Sequence, residues 1–367
     1  MMDLHDPTEA AYVSDSRDMT RELQETVRTA FERRTPLSIQ GGNSKRFYGR
    51  TPRGEPISLS THRGIVNYEP AELVVTARSG TPLGELENLL EENGQMLAFE
   101  PPHFGPGATL GGAVACGLSG PRRPYAGAVR DHLLGIRCLS GEGRLLRFGG
   151  EVVKNVAGFD AFRLMAGALG TLAVLTEISL KVLPRPERTV TLAFECDAHD
   201  ALARLNRWHC SPLPVSAGAC DGARLFIRLE GSAAGVRATH DKLGGEIASG
   251  GDSFWEDLRE HRLSFFADNG PLWRLSLPPA TPPLSIVGRW FIDWGGAQRW
   301  LKTALPPKLI RETAARHGGH AQLFRGGERE GSVFHPLSPA LLDLHKNLKQ
   351  AFDPRGILNP QRMYREF

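Results

Sequence analysis

Two clusters of small residues carry most of the chemical information in this 367-residue chain. The first is Gly41-Gly42-Asn43-Ser44-Lys45, directly after the apolar stretch Leu37 to Ile39. Successive backbone N–H groups in a tight turn form a concave nest for an anion, and glycine permits the backbone angles and close approach that such a nest needs. A diphosphate fits a nest of this kind, and Lys45 adds a point charge. For these five residues alone, a polar hairpin loop is the plainer alternative.

The second cluster lies between Phe99 and Tyr125, where hydrophobic periodicity almost vanishes. It contains Pro101, Ala108, Thr109, Gly111, Gly112, Ala113, Ala115, Cys116, Gly117 and Gly120. Long irregular stretches inside a compact domain are usually functional. Small side chains with accessible backbone suit a flat, largely apolar ring system such as an isoalloxazine. A glycine-rich connection between strands is the alternative. No G-x-G-x-x-G opens a helix after a strand and no G-x-x-x-x-G-K-[ST] occurs, so the two commonest phosphate-binding folds are unsupported.

The surrounding elements read as α+β. An amphipathic helix is predicted over Thr20 to Arg34, a strand over Leu73 to Ala77, and a helix over Leu83 to Asn93 with Thr81 as N-cap, Pro82 at its first position and Gly94 at its end. Strands follow at His132 to Leu139, Arg144 to Phe148 and Ala173 to Leu183, with Lys154 to Gly158 and a helix from Asp160 between them. Pro184 and Pro186 mark a boundary. Beyond it, strands at Thr189 to Phe194, Arg224 to Leu229 and Ile286 to Phe291 alternate with helices at Ala198 to Trp208 and Ala234 to Leu243. A last helix is announced by Ser338 as N-cap and Pro339 at N1, and it stops at Asp353-Pro354-Arg355-Gly356. Three units result: 1–186, 187–302 and a 303–367 segment returning to the first.

Composition excludes several classes. A net charge of +3 and no Lys/Arg block argue against nucleic acid. Five dispersed cysteines, none in C-x-x-C, supply neither an iron–sulfur nor a zinc framework and suit a reducing, cytoplasmic setting. Met1 to Ala10 lacks an apolar core, so no signal peptide is expected there. The most apolar stretch, Leu164 to Leu183, is interrupted by Gly167, Gly170, Glu177 and Lys181, so no membrane span is expected.

The order of motifs resembles the vanillyl-alcohol oxidase and p-cresol methylhydroxylase (PCMH/VAO-type) family of FAD proteins. The matching pieces are Gly41-Gly42-Asn43-Ser44, Ala108-Thr109-Leu110-Gly111-Gly112, Cys116-Gly117-Leu118-Ser119-Gly120, Gly170-Thr171-Leu172-Ala173-Val174, and the terminal Phe352-Asp353-Pro354-Arg355-Gly356-Ile357-Leu358-Asn359-Pro360. The resemblance implies an FAD-binding domain of two α+β subdomains with a reduced α+β cap. It implies cofactor-binding roles for Gly41, Gly42, Asn43, Ser44, Lys45, Pro101, Ala108, Thr109, Gly111, Gly112, Ala113, Cys116, Gly117, Gly120, Gly170, Val174 and Asn359. Within the family, Leu272-Trp273-Arg274-Leu275-Ser276 and Asp293-Trp294-Gly295-Gly296-Ala297 resemble the smaller flavin-binding subunits of bacterial glycolate oxidases. That likeness implies a larger FAD-binding subunit and an iron–sulfur subunit as partners, a small 2-hydroxy acid as substrate of the assembly, and membrane association only through the assembly.

Two departures qualify these implications. The position where the family often attaches flavin to histidine is Asn43, which implies non-covalent FAD. The histidine motif that the dehydrogenases of this branch carry in the cap is missing. His317, His320 and His335 lack an acidic partner at metal-binding spacing, so no metal is expected and no catalytic residue can be named. Arg274 has the chemistry to bind a carboxylate in bidentate fashion, with a salt-bridge role as the alternative. Trp290, Trp294 and Trp300 read as packing anchors or partner contacts.

Overall fold

A computed structural model describes residues 16–150 and 160–367. Lys154 to Gly158 and the N-terminal residues Met1 to Ala10 lie outside this range. Helix α1 (Thr20–Arg33) buries Leu23, Val27 and Ala30, a single i, i+4, i+7 stripe. That stripe packs on a parallel pair, β1 (Leu37–Gln40) and β2 (Glu55–Ser58), with Ile57, Leu59, Ile357 and Leu358 completing a small core. Leu358 bridges to Leu37, so the end of the chain extends this pair.

The second subdomain is a five-stranded antiparallel sheet. Its strands are β3 (Ile65–Glu69) and β4 (Val74–Arg78), then β6 (Leu133–Leu139), β7 (Leu145–Gly149) and β8 (Val174–Lys181), in the order β3-β4-β8-β6-β7. A minor pair, β5 (Gln95–Met96) with β9 (Leu183–Pro184), closes its margin. Helix α2 (Leu83–Glu92) buries Leu83, Leu86, Leu89 and Leu90. Each fully buried leucine contributes about 1.5–3 kcal/mol.

Pro82, not Thr81, occupies the N-cap of α2. Thr81 Oγ1 is instead buried and accepts from Gly64 N at 3.0 Å, so tertiary structure claims the residue that local pattern would place at the cap. Gly94, at φ +65°, follows the C-cap Asn93. The stretch without periodicity contains helix α3 (Leu110–Cys116), capped by Thr109 Oγ1 accepting from Gly112 N at 3.3 Å, and the start of the single turn α4 (Arg123–Ala126), with a second single turn, α5 (Val129–His132), beyond it. Adjacent glycines hide α3 from propensity reasoning. The helix predicted from Asp160 is a 3₁₀ segment, Ala161–Met165.

The second unit is an eight-stranded antiparallel sheet. It comprises β10 (Arg188–Glu195), α6 (Ala198–His209), β11 (Val215–Cys220), β12 (Arg224–Gly231), α7 (Ala233–Leu243), β13 (Glu246–Ile247), α8 (Gly251–Arg259), β14 (Leu272–Ser276), β15 (Arg289–Asp293), β16 (Gln298–Lys302), α9 (Pro307–Arg316) and β17 (His320–Arg325). The order is β13-β10-β12-β11-β15-β16-β14-β17, and β11 meets β15 through one residue pair, Cys220 and Ile292. The 303–367 segment therefore divides, because α9 and β17 complete this sheet. The loop after β17 touches the first unit, with Arg329 Nη2 donating to Phe47 O and Arg50 Nη2 to Glu330 O, both at 2.6 Å, and α10 (Pro339–Phe352) and the residues after it return to that unit.

The two units join through buried polar contacts. Glu100 and Arg122 of the first meet Arg228 and Glu230 of the second, with Arg228 Nη2 at 2.7 Å from Glu100 Oε1 and Arg122 Nη2 at 2.8 Å from Glu230 Oε1. Trp294 Nε1 donates to Gly120 O at 3.0 Å.

Candidate functional site

Between the two α+β subdomains lies a cleft that, with the solvent space at its mouth, encloses about 860 Å³. Its walls come from β1 and the following turn (Ser38 to Arg46), from α3 and from the Leu169–Leu175 turn, with Asn359 and Arg362 closing it. Of the residues implied by the sequence, the structure brings Gly41, Gly42, Asn43, Ser44, Lys45, Thr109, Gly111, Gly112, Cys116, Gly170 and Asn359 into this one lining.

The remaining six are not in the lining. Ala108, Ala113 and Val174 are buried in the cores. Gly117 ends α3 at φ +64° against the backbone of Gly167, and Gly120 lies against the Glu100 carbonyl. Pro101 opens the neighbouring loop and is buried.

The glycine turn is an anion nest in geometry as well as in pattern. Among the described residues, the backbone N–H groups of Gly41 through Lys45 find no protein acceptor. Asn43 adopts φ +57°, a conformation that asparagine tolerates better than most residues. Gly42 lies so close to the next loop that a Cβ placed on it would be 1.3 Å from the carbonyl oxygen of Gly107.

Two buried cations face the same space. Among the described residues, Lys45 Nζ reaches Ser44 Oγ at 3.4 Å and His103 O at 3.2 Å, and burial lowers its pKa. Arg362 donates through Nη2 to Arg46 O at 2.9 Å and through Nη1 to Arg50 O, and burial lowers its pKa to about 10. Neither forms a salt bridge with a described carboxylate, and a buried cation without one is costly unless a ligand supplies the anion. Burial raises the Cys116 thiol, with Lys45 and Arg362 opposing the shift. Ser79 Oγ, also in the lining, is buried and has no partner among the described residues. Apolar side chains of Ile39, Leu59, Ala115, Leu169, Ala173 and Leu175 cover the other walls. A dinucleotide with a diphosphate and a flat ring system fits this combination of nest, cations and apolar walls.

Asn359, in the lining, also holds the frame of the cleft. Its Oδ1 accepts from Ile39 N at 2.7 Å and its Nδ2 donates to Leu169 O at 2.6 Å. The amide therefore ties two walls of the cleft together. Lys349 supports the same corner, donating to Thr171 O at 2.7 Å and Leu358 O at 2.8 Å.

No residue of the second unit lines the cleft. Between its sheet and the glycine turn stands a cluster of rings. Phe47 and Phe104 have centroids 5.4 Å apart, Phe104 and His261 5.1 Å, Tyr48 and Phe324 5.4 Å, and Trp300 and Phe324 4.9 Å. Gln322 turns its amide oxygen to Arg274 Nε and Tyr48 OH, both at 3.2 Å. Arg274 has no described carboxylate within salt-bridge distance.

His317 Nδ1 sits 2.9 Å from Thr313 O, and the His320 and His335 rings are 6.3 Å apart. Among the described residues no group of three metal-ligating side chains occurs, and no helix is long and apolar enough to cross a membrane. Of the three tryptophans, Trp300 packs in the ring cluster, Trp294 bonds to Gly120, and Trp290 Nε1 donates to Ile286 O at 3.0 Å. Sequence reasoning missed Ser79 and Arg362. Arg362 stands three residues beyond Asn359, and the fold alone reveals that a terminal arginine turns inward.

These features define an FAD-binding fold. The sequence pattern of the family described as "FAD binding domain" matches residues 18–149, and that of "FAD linked oxidases, C-terminal domain" matches residues 328–363. The chain is 51% identical to glycolate oxidase subunit GlcE of Escherichia coli (strain K12), over 95% of this chain and 98% of that protein. It is 30% identical to mitochondrial D-2-hydroxyglutarate dehydrogenase of Bos taurus, over 94% of this chain and 75% of that one. Among solved structures, alkyldihydroxyacetonephosphate synthase shares the fold with a TM-score of 0.65 at 17% identity, over 95% of this chain and 75% of that chain. The chain belongs to the FAD-linked oxidases of the vanillyl-alcohol oxidase and p-cresol methylhydroxylase type, a family of FAD-dependent oxidoreductases.

Proposed function

We propose that this chain is the smaller FAD-binding subunit of a glycolate (2-hydroxy acid) oxidase or dehydrogenase complex. The observation that carries the reading is the likeness to a glycolate oxidase subunit along nearly the full length of both chains. The cleft agrees with it through the Gly41–Lys45 nest, Lys45 and Arg362 for the diphosphate, and the walls around Gly112, Ala115 and Gly170 for the ring system. Bound there, FAD supplies a hydride acceptor, and the protein supplies position and charge. The cleft lining contains no histidine, which supports non-covalent attachment; acid precipitation is expected to release all flavin and leave no fluorescent protein band.

Oxidation of the hydroxy acid to the 2-oxo acid, here glycolate to glyoxylate, belongs to the assembly. The rings of Phe47, Phe104, Phe324 and Trp300 fill the space between cradle and sheet, which favours a flavin that relays electrons or stabilises this chain over one that meets substrate here. The partners are a larger flavoprotein subunit and an iron–sulfur subunit that receives electrons, in the cytoplasm or at the membrane surface through the complex.

A tag on this chain tests the proposal. Co-purification of both partners with flavin and glycolate-dependent dye reduction is the expected result. A lone chain whose flavin a hydroxy acid, alcohol or sugar lactone reduces by itself makes it a stand-alone oxidoreductase instead. If complex activity survives a Gly42 variant that binds no FAD, the chain is a scaffold.

A further inference from the structure

We infer that the second unit of this chain acts as a lock on the FAD cradle, and that Glu260, remote from the cleft lining, is the positioning residue of that lock. The inference rests on the reading of the cleft as an FAD site.

Glu260 follows α8 and its side chain is almost fully buried. Its carboxylate accepts from His103 N at 3.0 and 3.1 Å and from Phe104 N at 2.7 Å. Two consecutive amides thus converge on one carboxylate. The loop bends to allow this, with Phe104 at φ +52° and Gly105 at φ +136°. On its far side the His103 ring meets Glu87 of α2 at 2.9 Å, so the loop is held from both units.

This loop is the back wall of the glycine turn. Its Gly107 carbonyl fills the place a Gly42 side chain would take, and its His103 carbonyl receives Lys45 Nζ. A second contact grips both loops at once. The Arg325 guanidinium of β17 sits 4.3 Å over the Phe47 ring and 5.1 Å over the Phe104 ring, a cation–π arrangement. The cap therefore holds the two loops that shape the nest without lining the cleft itself. Charge-assisted bonds of this kind are worth more than neutral ones, and preorganising the nest lowers the cost of ordering it when FAD binds.

The test is FAD affinity of the full chain, measured by fluorescence titration, together with amide exchange of the FAD-free chain. For Glu260→Ala the Kd is expected to rise about tenfold or more, the scale of one lost hydrogen bond to a charged group. Glu260→Gln, which keeps one acceptor oxygen, should fall between that variant and wild type, and it carries the test alone if the alanine variant fails to fold. Exchange should quicken at His103, at Phe104 and across Gly41–Lys45. Glu256→Gln, an exposed change on the same helix, should leave Kd unaltered. A Kd for the Glu260 variants within roughly threefold of wild type, the scale of a weak neutral contact, overturns the lock, as does unaltered exchange at Gly41–Lys45. Wild-type chain that takes up no FAD at all instead sinks the reading of the cleft.

Discussion

Lys349 and Asp353 stand one helical turn apart at the end of α10, with Nζ 2.6 Å from Oδ2 and both side chains buried. The pair is satisfied on every side. Asp353 also accepts from Ile357 N at 3.1 Å and Leu358 N at 2.7 Å, and Lys349 reaches Thr171 O and Leu358 O. It fastens the turn that carries Asn359 to the turn that carries Gly170.

Replacing Lys349 with Met leaves a buried carboxylate without its cation. Loss of about 3–5 kcal/mol is expected, read from urea unfolding, together with reduced flavin content in the protein that remains folded. An unchanged unfolding midpoint would show that the pair contributes nothing net.

The cleft can be filled without disturbing its frame. A Cβ on Gly112 meets only Thr109 Oγ1, at 3.2 Å, whereas one on Gly42 collides with Gly107. Gly112→Leu should therefore abolish flavin binding with little change in melting temperature, while Gly42→Val should lower both. Flavin absorbance and a thermal melt on each variant separate the two effects.

Lys45→Met removes a buried cation whose protein partners are a hydroxyl and a carbonyl. A diphosphate that lost this contact should bind about ten- to a hundredfold more weakly, as for a charge-assisted bond. Removing Arg362 should cost more, since it also holds the carbonyls of Arg46 and Arg50. Equal FAD affinity in wild type and Lys45→Met would place the diphosphate elsewhere.

Burial raises the pKa of Asp293 from 3.8 to about 7, against the lowering effect of bonds from Trp294 N and Gln298 Nε2. The unfolded chain releases this proton near the ordinary value, so between these pH values the folded chain binds one proton more. Stability from this group is full below about pH 4, falls as pH rises to about 7, and is level above, with a slope of at most about 1.4 kcal/mol per pH unit. Asp293→Asn should remove that descent and raise the melting temperature at pH 8. Gln298 Nε2 bonds to Asp293 Oδ2 at 2.9 Å, and a turn of that amide brings Gln298 Oε1, which has no partner among the described residues, to accept from the new amide.

The legible parts were those where local pattern and tertiary need agree. The stripe of α1, the leucines of α2 and the Ser338-Pro339 start of α10 all stand where periodicity and capping put them. The cradle was legible through its glycines because close backbone approach at Gly42 leaves a compositional mark. Other features leave none. Helix α3 is masked by glycines that also serve the cleft, and β17 belongs to a sheet whose neighbours in space are distant in sequence. Ala113 and Gly117 have the same small size as the lining residues Gly111 and Ala115, yet they face away, because the rotation of α3 cannot be read without its packing.

The hydrogen bond between Ile39 and Asn359 spans 320 positions of sequence. Of the cleft's walls, the nest is synthesised early and the residues that close it, Asn359 and Arg362, come late. Domains tend to fold as they emerge from the ribosome, so the first unit can collapse while its cleft is still open on one side. The chain can therefore fold around an unfinished cleft, whose frame is complete only once Asn359 and Arg362 have docked against the β1 wall.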